Sequence, residues 1–318
     1  MKFGELVNEI TKRGYEWHRE RIVENTRLNA PYIKKSVRDI SPEPSPVIIV
    51  SAGPSLYREN VLKRIYGQFK GTIIATDGAY VQCLRAGIVP NYVVTLDPHP
   101  TRMVRWFGDP EYERNSDGDD YFNRQDLDIA FRENAAEENA KNIALVDRYK
   151  TALVIGTTAP QNVVARTADF DRYWFAPLVD SPSKDGLTRE MVRLSGVPAM
   201  NTGGTVGTAA WVFAHAYLKA PYIGVVGMDF GYYMDTPFDK TQSYHMLKDY
   251  QNISEFYPHY TGPWGETYTD PSYWWYRDNF LDLLKANKAR IINASGAGLL
   301  FGEGVGCMEL EQWLAFCS

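Results

Sequence analysis

The chain has 318 residues, with 34 Lys and Arg against 39 Asp and Glu, a formal net charge of −5, and 44% hydrophobic residues. The acidic balance argues against a free-standing nucleic-acid binder, whose phosphate footprint is a basic excess. The apolar content excludes global disorder and supports a substantial core.

No apolar run approaches the roughly 20 residues of a membrane helix. Met1 to Glu5 lack the apolar core of a secretory signal, so a cytoplasmic protein with no membrane span is expected. Cys83, Cys307 and Cys317 are far apart and lack C-x-x-C spacing, which points to inert thiols rather than a disulfide framework or thiolate metal site.

Residues 3–38 read as helical, with Leu6, Ile10, Tyr15, Ile22 and Val23 apolar at loosely helical spacing. The alternating prolines of Ser41 to Pro46 break that pattern, since each fixes φ and removes a donor. We therefore expect a helical extension and Pro-rich linker over 1–44 and a main domain over 45–318.

Within the main domain, short apolar runs alternate with helical stretches. Val47 to Val50, Thr72 to Ala75, Tyr92 to Leu96, Ala152 to Ile155, Tyr222 to Val226 and Arg290 to Ile292 are apolar on both faces, as strands of a parallel sheet covered by helices are. The expected fold class is α/β: a Rossmann-like, doubly wound, mostly parallel sheet with an N-terminal helical extension.

Two stretches depart in composition. Between 108 and 140 stand eleven acids and three bases, a local charge of −8 that leaves +3 for the remainder of the chain. A solvated surface insertion is expected there. From Phe230 to Phe280 lie sixteen of the 43 aromatics, over twice an even share, which reads as a long ordered loop or lid over the site or as a satellite hydrophobic cluster.

In open α/β sheets ligands bind beyond the carboxyl ends of the strands, so the residues just after each strand carry the chemistry. After the first strand, Gly53 permits close backbone approach, Pro54 fixes the turn, and Ser55 offers a cap and a hydroxyl. No Gly-Lys-Ser/Thr follows, so this is not a Walker A loop. Thr202, Gly203, Gly204 and Thr205 open a helix, where free amides and the helix dipole favour a phosphate; close helix packing would also require such glycines.

Asp77, Asp97 and Asp229 each follow a strand, where together they could hold Mg²⁺ or a ribose, or separately cap the next helix. Tyr232 and Tyr233 could stabilise charge on a departing phosphate, and His245 could take a proton from an attacking hydroxyl, although a lone histidine is usually structural. Asn293 to Gly298 follow the last expected strand, and Gly302 to Gly306 only superficially suggest a dinucleotide fingerprint.

In order along the chain, Val47 to Leu56, Ile73 to Asp97, Asn201 to Tyr233 and Ile292 to Gly302 resemble the MptE-like family of archaeal 6-hydroxymethylpterin diphosphokinases and bacterial motility accessory factors implicated in flagellin glycosylation. The family is similar in fold to bacterial sialyltransferases, which bind a CMP-sugar. That resemblance implies a nucleotide around Gly53, Pro54, Ser55, Thr202, Gly203, Gly204 and Thr205, with Tyr232 and Tyr233 near the leaving phosphate and His245 as general base. Ala52 and Asp77 depart from the sialyltransferase pattern and are MptE-like instead.

The leading expectation is thus a nucleotide-dependent glycosyltransferase that moves a sugar to a hydroxyl acceptor on a glycan or protein and needs no cofactor. One alternative is Mg-dependent diphosphoryl transfer from ATP to a hydroxymethylpterin, with Asp77, Asp97 and Asp229 on the metal. The other is a non-catalytic nucleotide- or glycan-binding module in which the first 40 residues serve docking or homo-oligomerisation.

Overall fold

A computed structural model describes residues 3–42, 44–116, 134–149, 151–180 and 185–318. Nine strands form one all-parallel sheet, in the order β11-β10-β7-β1-β2-β3-β4-β5-β6. They are β1 (Val47–Val50), β2 (Thr72–Thr76), β3 (Tyr92–Thr95), β4 (Ala152–Gly156), β5 (Arg172–Leu178), β6 (Ala199–Asn201), β7 (Ile223–Val226), β10 (Ile291–Asn293) and β11 (Val305–Cys307). A separate antiparallel hairpin, β8 (His259–Gly262) with β9 (Gly265–Tyr268), stands apart from the sheet.

Side chains alternate across β1 and seed a core on each face. Val47 and Ile49 pack with Trp211, Phe213, Phe280 and Leu284. Ile48 and Val50 pack with Leu56, Ile65, Cys83 and Trp313. Helices cover both faces, so the fold is doubly wound.

The N-terminal helix runs Phe3–Asn29 rather than to residue 38. Pro31 explains the stop, because it has no N–H to donate to the carbonyl one α-helical turn back at Arg27, and the chain continues in two 3₁₀ turns, Ala30–Tyr32 and Val37–Asp39. The helix is bound to the body by buried polar contacts. Asn25 Nδ2 donates to the Thr158 carbonyl at 2.8 Å, and Asn29 Nδ2 donates to the carbonyls of Thr157 and Ala159 at 2.9 and 2.8 Å. These satisfy the backbone of the loop after β4, which would otherwise lack donors. Among the described residues no helix is long and apolar enough to cross a membrane.

Residues 117–133 of the acidic stretch, including Asp117, Asp119, Asp120, Asp126, Asp128 and Glu133, lie outside the described residues. Their flank is anchored. Asp109 is buried, accepts from the Glu111 amide and Asn115 Nδ2, and exchanges two 2.8 Å hydrogen bonds with the Asn139 side chain.

The aromatic stretch folds around Tyr232, Leu247, Phe256, Tyr257 and Tyr268, with Leu6 of the N-terminal helix packed into the same cluster. The tip of its hairpin, Trp264 to Thr267, faces a cleft at the carboxyl edge of the sheet.

Candidate functional site

The strand order reverses at β1: the chain moves outward through β2 to β6, then returns to lay β7 on the other side of β1. Such a switch point is where an open α/β sheet leaves a crevice. Here the loops after β1 and β7 touch through their backbones. The Gly53 amide donates to the Gly227 carbonyl at 2.8 Å. A Cβ on Gly53 would lie 2.4 Å from that oxygen, and one on Gly227, whose φ is +68°, would lie 2.0 Å from the Ser51 carbonyl oxygen. Both positions therefore require glycine.

Asp229 completes the junction. Its Oδ2 accepts from the Ser55 amide at 2.8 Å and its Oδ1 from the Ser55 hydroxyl at 2.6 Å. Burial pushes its carboxyl up to about 6, against the two hydrogen bonds that favour the charged form. The amide and hydroxyl of Ser55 thus already hold an internal carboxylate.

The second glycine turn leads into a helix whose Gly207 abuts Ser51 at the end of β1. Gly203 and Gly204 take φ of +53° and +87°, and a Cβ on Gly204 would lie 2.6 Å from the Trp275 ring. Close packing against the helix Pro271–Ala286 accounts for that glycine. The Thr205 hydroxyl caps the helix Val206–Val212 by accepting from the Thr208 amide at 3.1 Å. Thr202 is buried and its carbonyl accepts from the Thr205 amide at 3.0 Å. In the first turn of that helix, a Cβ on Gly207 would lie 3.2 Å from the Ser51 hydroxyl. Ser51 is 7% exposed and its hydroxyl has no hydrogen-bond partner. Where that helix meets the loop after β1 there is therefore a buried hydroxyl with unused hydrogen-bonding capacity, which a ligand or an ordered water would complete.

The strand-end carboxylates do not gather. Asp77 is buried, accepts from the Thr95 hydroxyl at 2.8 Å and from the Gly78 amide at 2.7 Å, and is pushed up to about 7 by burial, with the charge of Asp97 adding to the rise. Asp97 is exposed and accepts from the His99 amide at 2.8 Å. Among the described residues no group of three or more His, Cys, Asp or Glu is arranged to hold a metal ion. Sheet geometry gives the reason: β7 and β3 are separated by β1 and β2, and three strand spacings are roughly 14 Å, beyond the span of one ion's ligands. The expected Asp77, Asp97 and Asp229 set does not fit Mg²⁺.

The tyrosines divide. The buried Tyr232 hydroxyl donates to Asp270 Oδ2 at 3.0 Å and accepts from the Gln242 amide at 2.8 Å, so it fastens the aromatic cluster. Tyr233 donates to Glu59 Oε1 at 2.8 Å, and the Arg58 guanidinium lies 4.5 Å from its ring centre. Burial and the Glu59 hydrogen bond raise the Tyr233 phenol well above its ordinary value. His245 sits exposed on the helical turn Tyr244–Leu247 and does not line the cleft. The cleft has a volume of about 120 Å³ and is walled by Glu59, Asp229, Tyr233, Trp264, Glu266 and the turn Gly296 to Gly298.

Residues 20–111 match the family model described as 6-hydroxymethylpterin diphosphokinase MptE-like. The chain is MptE-like over this stretch. No match was found among curated proteins. Among solved structures, the chain is similar to the MAf glycosyltransferase from Magnetospirillum magneticum AMB-1, with a TM-score of 0.56 and 15% identity. The match covers 91% of this chain and 37% of that one, so the chain spans little more than a third of that protein's length. What the two share at this identity is the fold.

The matched stretch contains Gly53, Pro54, Ser55, Asp77 and Asp97, while Asp229 and the second glycine turn lie beyond it. Sequence reasoning did not single out three residues of this site: Ser51, Glu59 and Glu266. Ser51 directly follows a strand, a position that could have flagged it. Glu59 and Glu266 had no local signal, because their proximity depends on where the hairpin tip lands.

Proposed function

We propose that the chain is a transferase that binds a nucleotide-activated sugar across the β1/β7 switch point and passes the sugar to a hydroxyl acceptor. The observation that carries this reading is the junction at Ser51, where the helix opened by the second glycine turn and the loops after β1 and β7 meet around a buried hydroxyl without a protein partner. The shared fold with a glycosyltransferase supports it at the level of architecture. In this reading the donor phosphate lies by the start of the Val206–Val212 helix and Ser51, and the sugar points into the cleft. The general base is better sought in Asp229 than in His245: Asp229 lines the cleft with a carboxyl near 6, whereas His245 does not line it.

Thermal-shift measurements with CMP, UDP, GDP and ATP, each with and without Mg²⁺, test the proposal. A ligand that binds only the native state raises its melting temperature by mass action. The expected result is a shift with one nucleotide that persists in excess chelator; no shift with any of the four sinks the reading.

The family description favours a second reading, diphosphoryl transfer from ATP to a hydroxymethylpterin. It requires strict Mg²⁺ dependence, and product formation unchanged by chelator would exclude it.

A further inference from the structure

The residue after Asp229 has a backbone out of character for its side chain. Phe230 takes φ of +49°, in the left-handed region, and for a bulky residue that conformation persists only where the surroundings over-determine it. Of the five non-glycine residues with positive φ among the described residues, Phe230 alone is buried; Asn60, Lys219, Asn252 and Lys288 are exposed. Glycine would take the same φ without strain. What glycine would lack is the phenyl ring.

That ring is 7% exposed and sits in the core with Phe280, ring centres 6.3 Å apart. The Phe230 carbonyl accepts from the buried Thr269 hydroxyl at 2.8 Å. On one side of it, the Asp229 carbonyl accepts from the Leu299 amide at 2.6 Å, and a Cβ on Gly298 would lie 2.6 Å from that same oxygen. On the other, a Cβ on Gly231 would lie 2.9 Å from the Tyr268 carbonyl oxygen, and Tyr232 exchanges backbone hydrogen bonds of 2.7 and 3.2 Å with Tyr268. The left-handed turn thus lets the Asp229 carboxylate face Ser55 while the following residues join the hairpin, and Asp229 and Tyr233 both line the cleft.

We propose that Phe230 is a positioning residue: its buried ring and its Thr269-held carbonyl impose the left-handed turn that fixes the Asp229 carboxylate on Ser55 at the wall of the cleft. The inference rests on Asp229 being the base of the proposed transfer. Burial holds that carboxyl at about 6, with the charge of Glu59 adding to the rise, so a carboxylate released from its place moves toward its ordinary 3.8 as water reaches it.

The test follows the side-chain carboxyl carbon of Asp229 by NMR as pH is varied, the resonance being assigned by its loss in Asp229→Asn. Phe230→Gly should lower the midpoint by at least about one pH unit, a tenfold change in proton affinity. Phe230→Leu, which keeps an apolar anchor, and Leu284→Ala, which opens a cavity elsewhere in the same core, should leave it within about 0.3 unit. A midpoint unmoved by Phe230→Gly, or moved as far by Phe230→Leu or Leu284→Ala, would overturn the inference. Circular dichroism checks folding; if the glycine variant does not fold, Thr269→Val, which keeps the ring and frees only the Phe230 carbonyl, must itself lower the midpoint, and no shift there is equally fatal. The nucleotide panel separates the two readings. A nucleotide shift in wild type with an unmoved midpoint sinks this inference alone, whereas the expected midpoints without any nucleotide shift sink the proposed transfer and leave Phe230 as the residue that fixes Asp229.

Discussion

Two strand ends of the same sheet carry the same signature, an aspartate placed just after a run of apolar residues, and they are put to different uses. At the end of β7, Asp229 reaches across the chain to Ser55, 174 residues away in sequence, and ties two loops into one junction. At the end of β2, Asp77 bonds its own helix start and Thr95 of the next strand, 18 residues away. The difference lies in topology. A strand end at the switch point faces a loop from a distant part of the chain, whereas one inside a run of consecutive strands faces its immediate successor.

The largest expected effect breaks the long-range junction itself. Gly227→Ala adds a Cβ where φ is +68° and the Ser51 carbonyl oxygen is 2.0 Å away. Left-handed strain and overpacking of about 1–3 kcal/mol each give a destabilisation of about 4 kcal/mol, measurable by urea unfolding. A loss under 1 kcal/mol would show that the β1/β7 loops are not held together as described.

Next, Asp229→Ala leaves the buried Ser55 amide and hydroxyl without their acceptor, at about 2–3 kcal/mol. Asp229→Asn keeps an oxygen for the amide and offers its NH₂ to the hydroxyl, and should cost less than 1 kcal/mol. Equal losses in both variants would mean that charge, not hydrogen-bond geometry, fastens the junction.

The third experiment sharpens the comparison at β2. Burial raises the Asp77 carboxyl from its ordinary 3.8 to about 7, so between those values the folded chain holds a proton that the unfolded chain has released. This group's contribution to stability is therefore present below about pH 4 and lost as pH rises through about 7. Asp77→Asn removes that loss, and relative to wild type it should gain roughly 2 kcal/mol between pH 5 and pH 8. Parallel unfolding curves of the two proteins at both pH values would refute it.

Much of the sheet was legible because its central strands are short, apolar on both faces and bounded by turns, as Val47–Val50 and Ile223–Val226 are. β5 escaped because Arg172 opens it and Pro177 interrupts it, and proline ordinarily demotes a strand reading. β6 and β11 escaped because three residues at the sheet edges are too few to set a period. At the site, Gly53 was legible from its place after the first strand, and Asp229 from its place after another. The role of Asp229 was not, because the partner that defines it, Ser55, is adjacent only once β7 lies beside β1. The hidden partnership of Glu59 with Tyr233 is of the same kind.

The helix Phe3–Asn29 has a consequence for how the chain folds. Its polar face waits for Thr157 to Ala159, and Phe3 packs edge-on against Trp274 at 5.7 Å. The helix Phe3–Asn29 therefore cannot settle until the loop after β4 is in place, nor finish docking until the helix Pro271–Ala286 is. Closure across more than a hundred residues makes docking of this helix a late and expected rate-limiting event in folding.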